Sequence, residues 1–322
     1  MSIDKLIDWI IFPLLKYPIF LYLVLCPPQA NVCLFLVCYS LLLIFCNNLN
    51  HWYKCKGNED WQPLNEVEGA TVLITGGSDG LGRSIVLEIL ARYPRVKVLN
   101  IDLQKSPQSN PRLVDIECNV GDIEALDHCL DRIKACYGDQ LSLIVNNAGI
   151  RAPYQDMDQQ QKDTIQNIFG VNTFGPIMIM QKLIPSNRQC YVINVASTLG
   201  VLAPARLSTY AASKAALIAF HNSYSSELST NGMTKIRTLL VLAGQLNTNM
   251  FRGFEPPRQF FAPMVNKKTL ANKIIDYSAR GERGELCVPF YSNFAHLLMA
   301  LPILPRALVR KLSKMDSCLP QE

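Results

Sequence analysis

The sequence predicts an α/β protein, a doubly wound parallel sheet of about seven strands with an N-terminal transmembrane anchor. Three observations predict it. From residue 69 onward short apolar runs alternate with amphipathic stretches. Those runs are continuously apolar rather than alternating, as strands covered on both faces require. The first 46 residues are far more apolar than the rest.

A chain of 322 residues with 49% hydrophobic content can bury a sizeable core. Its mean hydropathy of +0.12 is high for a protein wholly in water, so part of it meets lipid. The net charge of +5 is modest and no basic run is interleaved with aromatics, which excludes a nucleic-acid partner. Eleven cysteines, an odd number without C-x-x-C pairs, read as free thiols in a reducing compartment. His51, His128, His221 and His296 are scattered without ligand spacing, so no metal site is expected.

Residues 1–50 form the anchor, as one or two segments. "DWIIFPLLKYPIFLYLVLC" (8–26) is marginal as a span because of Lys16 and its two prolines, whereas 30–49 matches the roughly 17 to 25 apolar residues a crossing needs. Asp4 and Asp8 offset Lys5 and no small-residue cleavage site comes after them, which argues against a cleaved signal peptide. Residues 51–68 read as a polar linker; Lys54 and Lys56 place the downstream domain on the cytosolic side.

The α/β domain spans 69–290. Its strands are expected at 70–76, 96–102, 112–120, 141–149, 190–197, 235–244 and 285–290. Helical patterns lie between them, as in "DIEALDHCLDRIKACYG", where Ile123, Leu126, Leu130 and Ile133 share a face. The segment 291–322 is apolar and then basic, with Arg306, Arg310, Lys311 and Lys314 near its end. Either it lies on an anionic membrane surface, or it packs on the domain or a partner subunit. Pro302 and Pro305 argue against a straight span.

"LITGGSDGLGRS" comes directly after the first strand and opens a helix. Gly76, Gly80 and Gly82 allow the tight turn and close approach a pyrophosphate needs, with the helix N-terminus facing its charge. Asp102 ends the second strand, where a carboxylate accepts from ribose hydroxyls and repels a 2′-phosphate. That favours NAD(H) over NADP(H), although Lys105 softens the exclusion.

In "STYAASKAALIAF", Tyr210 and Lys214 stand one helical turn apart. An ammonium beside a phenol favours the phenolate and moves it toward neutral-pH proton exchange. Ser197 ends a strand 13 residues earlier, and Asn172 in "IFGVNTFGP" can join a water chain to Lys214.

These motifs resemble the short-chain dehydrogenase/reductase family over roughly residues 69 to 290. The resemblance rests on T-G-x-x-x-G-x-G at Thr75, Gly76, Gly80 and Gly82, N-N-A-G at 146–149, Asn172, and Ser197 with Tyr210 and Lys214. It implies a Rossmann-type fold and a catalytic tetrad of Asn172, Ser197, Tyr210 and Lys214. In that tetrad Tyr is the general acid/base, Lys lowers its pKa and binds the nicotinamide ribose, Ser orients the substrate oxygen and Asn maintains a proton relay. It also implies cofactor contacts from Thr75, Gly76, Ser78, Gly80, Leu81, Gly82, Asp102, Asn119, Val120, Asn147, Ala148, Gly149, Tyr210, Lys214 and Thr248.

Two departures are visible: Asn119-Val120 stands where many members have Asp-Val, and Ala243-Gly244 replaces Pro-Gly, which puts the rigidity of that turn in doubt. The anchor and the basic C-terminus look like those of membrane-bound retinol and hydroxysteroid dehydrogenases. Downstream, "NMFRGFEPPRQFFAP" (249–263) reads as a lid whose Met250, Phe251, Phe254, Phe260 and Phe261 line a greasy site, or as ordinary packing residues. The expected function is a membrane-bound oxidoreductase moving a hydride between NAD(H) and a lipophilic alcohol or carbonyl, retinoid, steroid or lipid-like. The alternatives are an NADPH-dependent ketolipid reductase and a non-catalytic nicotinamide-sensing scaffold at a membrane. The resemblance adds a homo-oligomer, at the endoplasmic reticulum or lipid-droplet surface, with a mitochondrial membrane second.

Overall fold

Helices α1 (Ile3–Leu6), a π-helical turn (Ile7–Ile11), α2 (Phe12–Lys16) and α3 (Pro18–Leu25) open the chain, before the long α4 (Ala30–Cys55). The sheet begins with β1 (Thr71–Thr75), α5 (Gly80–Arg92), β2 (Lys97–Asp102), β3 (Leu113–Glu117), α6 (Ile123–Tyr137) and β4 (Leu141–Asn146). Then come α7 (Lys162–Phe169), a π turn (Gly170–Phe174), α8 (Gly175–Leu183), β5 (Cys190–Ser197), α9 (Leu199–Leu202), α10 (Ser208–Thr230) and β6 (Ile236–Ala243). The chain closes with α11 (Lys267–Arg280), β7 (Gly284–Val288), α12 (Ala295–Ala300) and α13 (Ile303–Ser313). This computed structural model describes residues 2–27, 29–55, 61–251 and 256–320.

The seven strands form one sheet in the order β3-β2-β1-β4-β5-β6-β7, and every pairing is parallel. Successive strand residues face opposite sides. Val72 and Ile74 therefore pack with Ile85 and Ile89 of α5 and Leu270 and Ile274 of α11. Leu73 packs on the other face with Leu126 and Leu130 of α6 and Ile179 of α8. Both faces are covered, so the doubly wound α/β sheet expected from the continuous apolar runs is the fold observed. The order reverses between β1 and β4, and that switch leaves a crevice at the carboxyl ends of the strands.

Helix α4 has 26 residues and a mean hydropathy of 2.2 in its most apolar window, and Ser40 is its single buried residue. At 1.5 Å per residue it is roughly 39 Å long, enough for a hydrocarbon layer of about 30 Å. It runs to Cys55, beyond the polarity change that suggested a linker; its end is held because the Lys54 carbonyl accepts from the Arg283 amide at 3.1 Å and Nε at 3.3 Å. Trp61 also docks: its Nε1 donates to the Ser278 carbonyl at 2.9 Å and the Arg237 guanidinium lies 4.6 Å from its ring. Lys56 lies outside the described residues.

The first apolar segment bends by 77° between Lys16 and Pro18, where the proline restricts the residue before it and cannot donate. Its start is tied to the domain. The Ile3 amide donates to the Phe260 carbonyl at 2.9 Å, Asp4 Oδ2 accepts from the Phe290 amide at 3.2 Å, and Phe12 meets Phe290 edge-on at 6.1 Å. At the other terminus Arg310 turns inward, donating to the Leu202 carbonyl at 2.8 Å, the Ala203 carbonyl at 3.1 Å and Asp316 Oδ2 at 2.9 Å. One of the four C-terminal cations thus pins α13 to the segment after α9.

Candidate active site

The glycine loop connects β1 to α5 at the switch point. Gly76 has φ +70°, and a Cβ there would sit 2.9 Å from Ala148 Cα. At Gly82 a Cβ would lie 2.0 Å from the Gly76 carbonyl oxygen, so helix and loop close only around glycine. The Asp79 side chain does not cap α5; its Oδ2 accepts from Asn249 Nδ2 at 3.1 Å. The helix thus presents its first amides, with their partial positive charge, to the crevice, a cradle that fits a pyrophosphate.

Polar side chains hold this cradle from behind. Thr75 Oγ1 accepts from the Asn147 amide at 3.1 Å and the Ala148 amide at 3.0 Å, and Asn147 Nδ2 donates to the Thr75 carbonyl at 3.0 Å. Asn100, fully buried in β2, accepts from the Gly77 amide at 2.8 Å and donates to Ser78 Oγ at 3.0 Å and Asp115 Oδ1 at 2.8 Å. Sequence reasoning missed Asn100, although a lone amide inside the apolar run "VKVLNID" was the signal. Asp102 Oδ2 accepts from the Ser78 amide at 3.0 Å and Oδ1 from the Gln104 amide at 3.2 Å, so the carboxylate is fixed beside the loop.

A cavity of about 300 Å³ lies along these carboxyl ends. Gly76, Gly80, Leu81, Asp102, Asn119, Val120, Asn147, Ala148, Gly149, Ser197, Tyr210, Lys214 and Thr248 all line it. Four expected site residues do not. The Thr75 hydroxyl bonds to the chain after β4 and that of Ser78 to the Gln104 carbonyl after β2, Gly82 packs against Gly76, and Asn172 is fully buried. Asn172 holds the chain after β4: Oδ1 accepts from the Ile150 amide at 2.9 Å, and Nδ2 donates to the Ile150 carbonyl at 2.8 Å and Ser213 Oγ at 2.9 Å. A Cβ on Gly149 would be 3.4 Å from both Asn172 Oδ1 and Lys214 Nζ, which brings those two groups to one point. Gly244 is gripped by the end of β7, its amide donating to the Val288 carbonyl at 2.7 Å, so the turn is held without the family's proline.

Tyr210 and Lys214 lie on one face of α10, and β5 delivers Ser197 beside them. Ser197 Oγ accepts from the Leu199 amide at 3.1 Å. Lys214 Nζ donates to the Val195 carbonyl at 2.9 Å. Burial sets the direction of the shift at both Tyr210 and Lys214. Burial pushes Tyr210 up to about 12, while hydrogen bonding with Ser197 and the more distant Arg151 cation act the other way. Burial likewise brings Lys214 down to about 8.

Arg151 is the second residue sequence reasoning missed; it comes just after N-N-A-G without a charge pattern of its own. Its Nε donates to the Met250 carbonyl at 2.7 Å and its guanidinium lies 3.9 Å from the Tyr154 ring centroid, fastening the start of the lid. Phe251 meets Tyr210 edge-on at 5.9 Å. Beyond it lies a second, apolar cavity of about 690 Å³, with Leu199, Gln245 and Phe251 common to both. Of the expected lid residues, Met250 lines the inner cavity, Phe251 both and Phe261 the outer one; Phe260 packs against Phe261, and Phe254 lies outside the described residues.

The short chain dehydrogenase family matches residues 70–259. A Saccharomyces cerevisiae protein named uncharacterized oxidoreductase TDA5 is 47% identical over 328 residues, covering 100% of both chains. The Rattus norvegicus 17-beta-hydroxysteroid dehydrogenase 13 is 26% identical, covering 80% of this chain and 86% of its own. Among solved structures, a short chain dehydrogenase from Burkholderia cenocepacia in complex with NADP superposes with a TM-score of 0.62 at 24% identity, over 76% of this chain and 97% of its own. A parallel sheet with its crevice at the β1/β4 switch, lined by a glycine cradle and a Ser, Tyr and Lys cluster, matches what the sequence similarity requires: the chain belongs to the short chain dehydrogenase family and is a nicotinamide-dependent oxidoreductase.

Proposed function

We propose that this chain is a membrane-bound, NAD(H)-dependent oxidoreductase that interconverts a lipophilic alcohol and its carbonyl. One observation carries the reading: Tyr210, Lys214 and Ser197 line a cavity that shares Leu199, Gln245 and Phe251 with the larger apolar one. A polar reaction centre therefore sits at the end of a greasy chamber. The similarity to a hydroxysteroid dehydrogenase agrees with such a substrate, and α4 supplies the anchor.

The α5 amides and Gly76 would hold the pyrophosphate, Asp102 the adenosine ribose, and Lys214 with Tyr210 the nicotinamide ribose. When bound, the dinucleotide supplies or accepts the hydride. Ser197 orients the substrate oxygen by donating to it. As the phenol, Tyr210 gives its proton to a carbonyl oxygen during reduction, and as the phenolate it takes the alcohol's proton during oxidation. The fixed Asp102 carboxylate disfavours a 2′-phosphate, which supports NAD(H).

The test is a cofactor-linked assay of the detergent-solubilised chain against steroid, retinoid and long-chain alcohols and ketones. Turnover with at least one substrate, lost by about 100-fold or more in Tyr210→Phe at unchanged melting temperature, is expected. Full activity in the folded variant would remove Tyr210 from the mechanism.

A further inference from the structure

The outer cavity has an apolar rim. Phe261 of the lid, Phe294 before α12 and Leu312 of α13 line it and are also 56%, 48% and 60% exposed. A water-facing mouth ringed by such side chains is costly, and a patch of this kind marks a surface that meets something apolar. Helix α13 continues it: Leu304, Leu308 and Leu312 recur at i, i+4 and i+8, and Leu304 is 81% exposed. Lys311 and Lys314 stand exposed at the end of this row. The Arg310 bonds to the segment after α9 fix the helix so that Val309 and Leu312 wall the cavity while Leu304 and Leu308 face outward.

The N-terminal segment docks on the same side. Ile3 bonds to Phe260 of the lid, and Asp4 and Phe12 engage Phe290 just before the rim residue Phe294. Trp9, Phe12 and Leu15 of that segment are themselves exposed. The lid and α13 thus line the chamber, and the apolar leader docks beside it on Phe260 and Phe290.

We propose that the outer cavity opens onto the anionic surface of the membrane that holds α4, with Leu304, Leu308 and Leu312 sunk into the lipid. The substrate's apolar part then passes between bilayer and reaction centre without crossing water. A helix of this kind settles about 5 to 10 Å into the headgroup boundary, and its lysines draw it to anionic lipid. Only the nature of the molecule that passes rests on the oxidoreductase reading.

Full-length protein carrying Leu308→p-benzoylphenylalanine, reconstituted in vesicles of phosphatidylcholine and phosphatidylserine, is illuminated and analysed by mass spectrometry. A phospholipid adduct at 308 is expected, with none from the same label at the exposed Glu124 of α6. The yield should fall several-fold when phosphatidylserine is omitted. Adducts to a second copy of the chain, or no lipid adduct, overturn the proposal; a yield indifferent to phosphatidylserine overturns its anionic part. The adduct must form equally in Tyr210→Phe, so loss of catalysis and loss of the membrane contact are read separately.

Discussion

His221 lies within α10 with its Nδ1 3.0 Å from Asn194 Nδ2, while Asn194 Oδ1 accepts from Asn146 Nδ2 at 2.7 Å. Burial lowers its pKa from 6.5 to about 4, so the folded protein keeps the imidazole neutral where the unfolded chain has already taken a proton. The stability this group contributes is therefore complete above about 6.5 and is lost as pH falls toward about 4. Chemical denaturation of the detergent-solubilised protein between these values should show a fall of at most about 3 kcal/mol from this group. His221→Gln should flatten that slope. The same desolvation acts at Tyr210 and Lys214.

Among the elements, the end of β2 and the glycine loop work as one unit, since Asp102 takes the Ser78 and Gln104 amides while Asn100 takes the Gly77 amide. Asp102→Ala removes the carboxylate that a 2′-phosphate would meet. Binding titrations with NAD(H) and NADP(H) should show the preference moving toward the phosphorylated form by about tenfold, roughly 1.4 kcal/mol. An unchanged ratio would show that Asp102 does not select the cofactor.

The strands were legible because each is a continuous apolar run between helical patterns, and the glycine loop because its spacing is tied to a strand and a helix. The Tyr210 and Lys214 spacing was legible for the same reason, as one turn of α10 puts both on one face. Other features depend on long-range partners that spacing does not encode. Arg151 matters through the Met250 carbonyl, 99 residues away. Asn172 matters as a brace for Ile150, and the rise at Tyr210 comes from burial that only the assembled sheet and lid create.

For the whole molecule, the two termini are separate in sequence yet dock on the same side of the domain, the C-terminal one lining the outer cavity and the N-terminal one beside it on Phe260 and Phe290. Only α4 combines the length and apolar surface of an uninterrupted span among the described residues, so it should determine membrane retention. Leu42 lies near its middle and is exposed. Leu42→Arg adds about 2.5 to 3.5 kcal/mol to insertion at a helix centre. Less of the chain should then resist alkaline carbonate extraction, while the detergent-solubilised variant keeps its cofactor affinity. Retention equal to that of the parent would shift the anchoring role to the N-terminal leader.

The grip of Arg283 on the Lys54 carbonyl at the end of α4 has a kinetic meaning. On the proposed membrane-bound reading, a catalytic unit tied to its own stalk in this way stays at the leaflet that holds α4. It waits for molecules diffusing laterally past its doorway. Turnover should therefore track the mole fraction of substrate within the host leaflet, and diluting the suspension with buffer should leave the rate per enzyme unchanged.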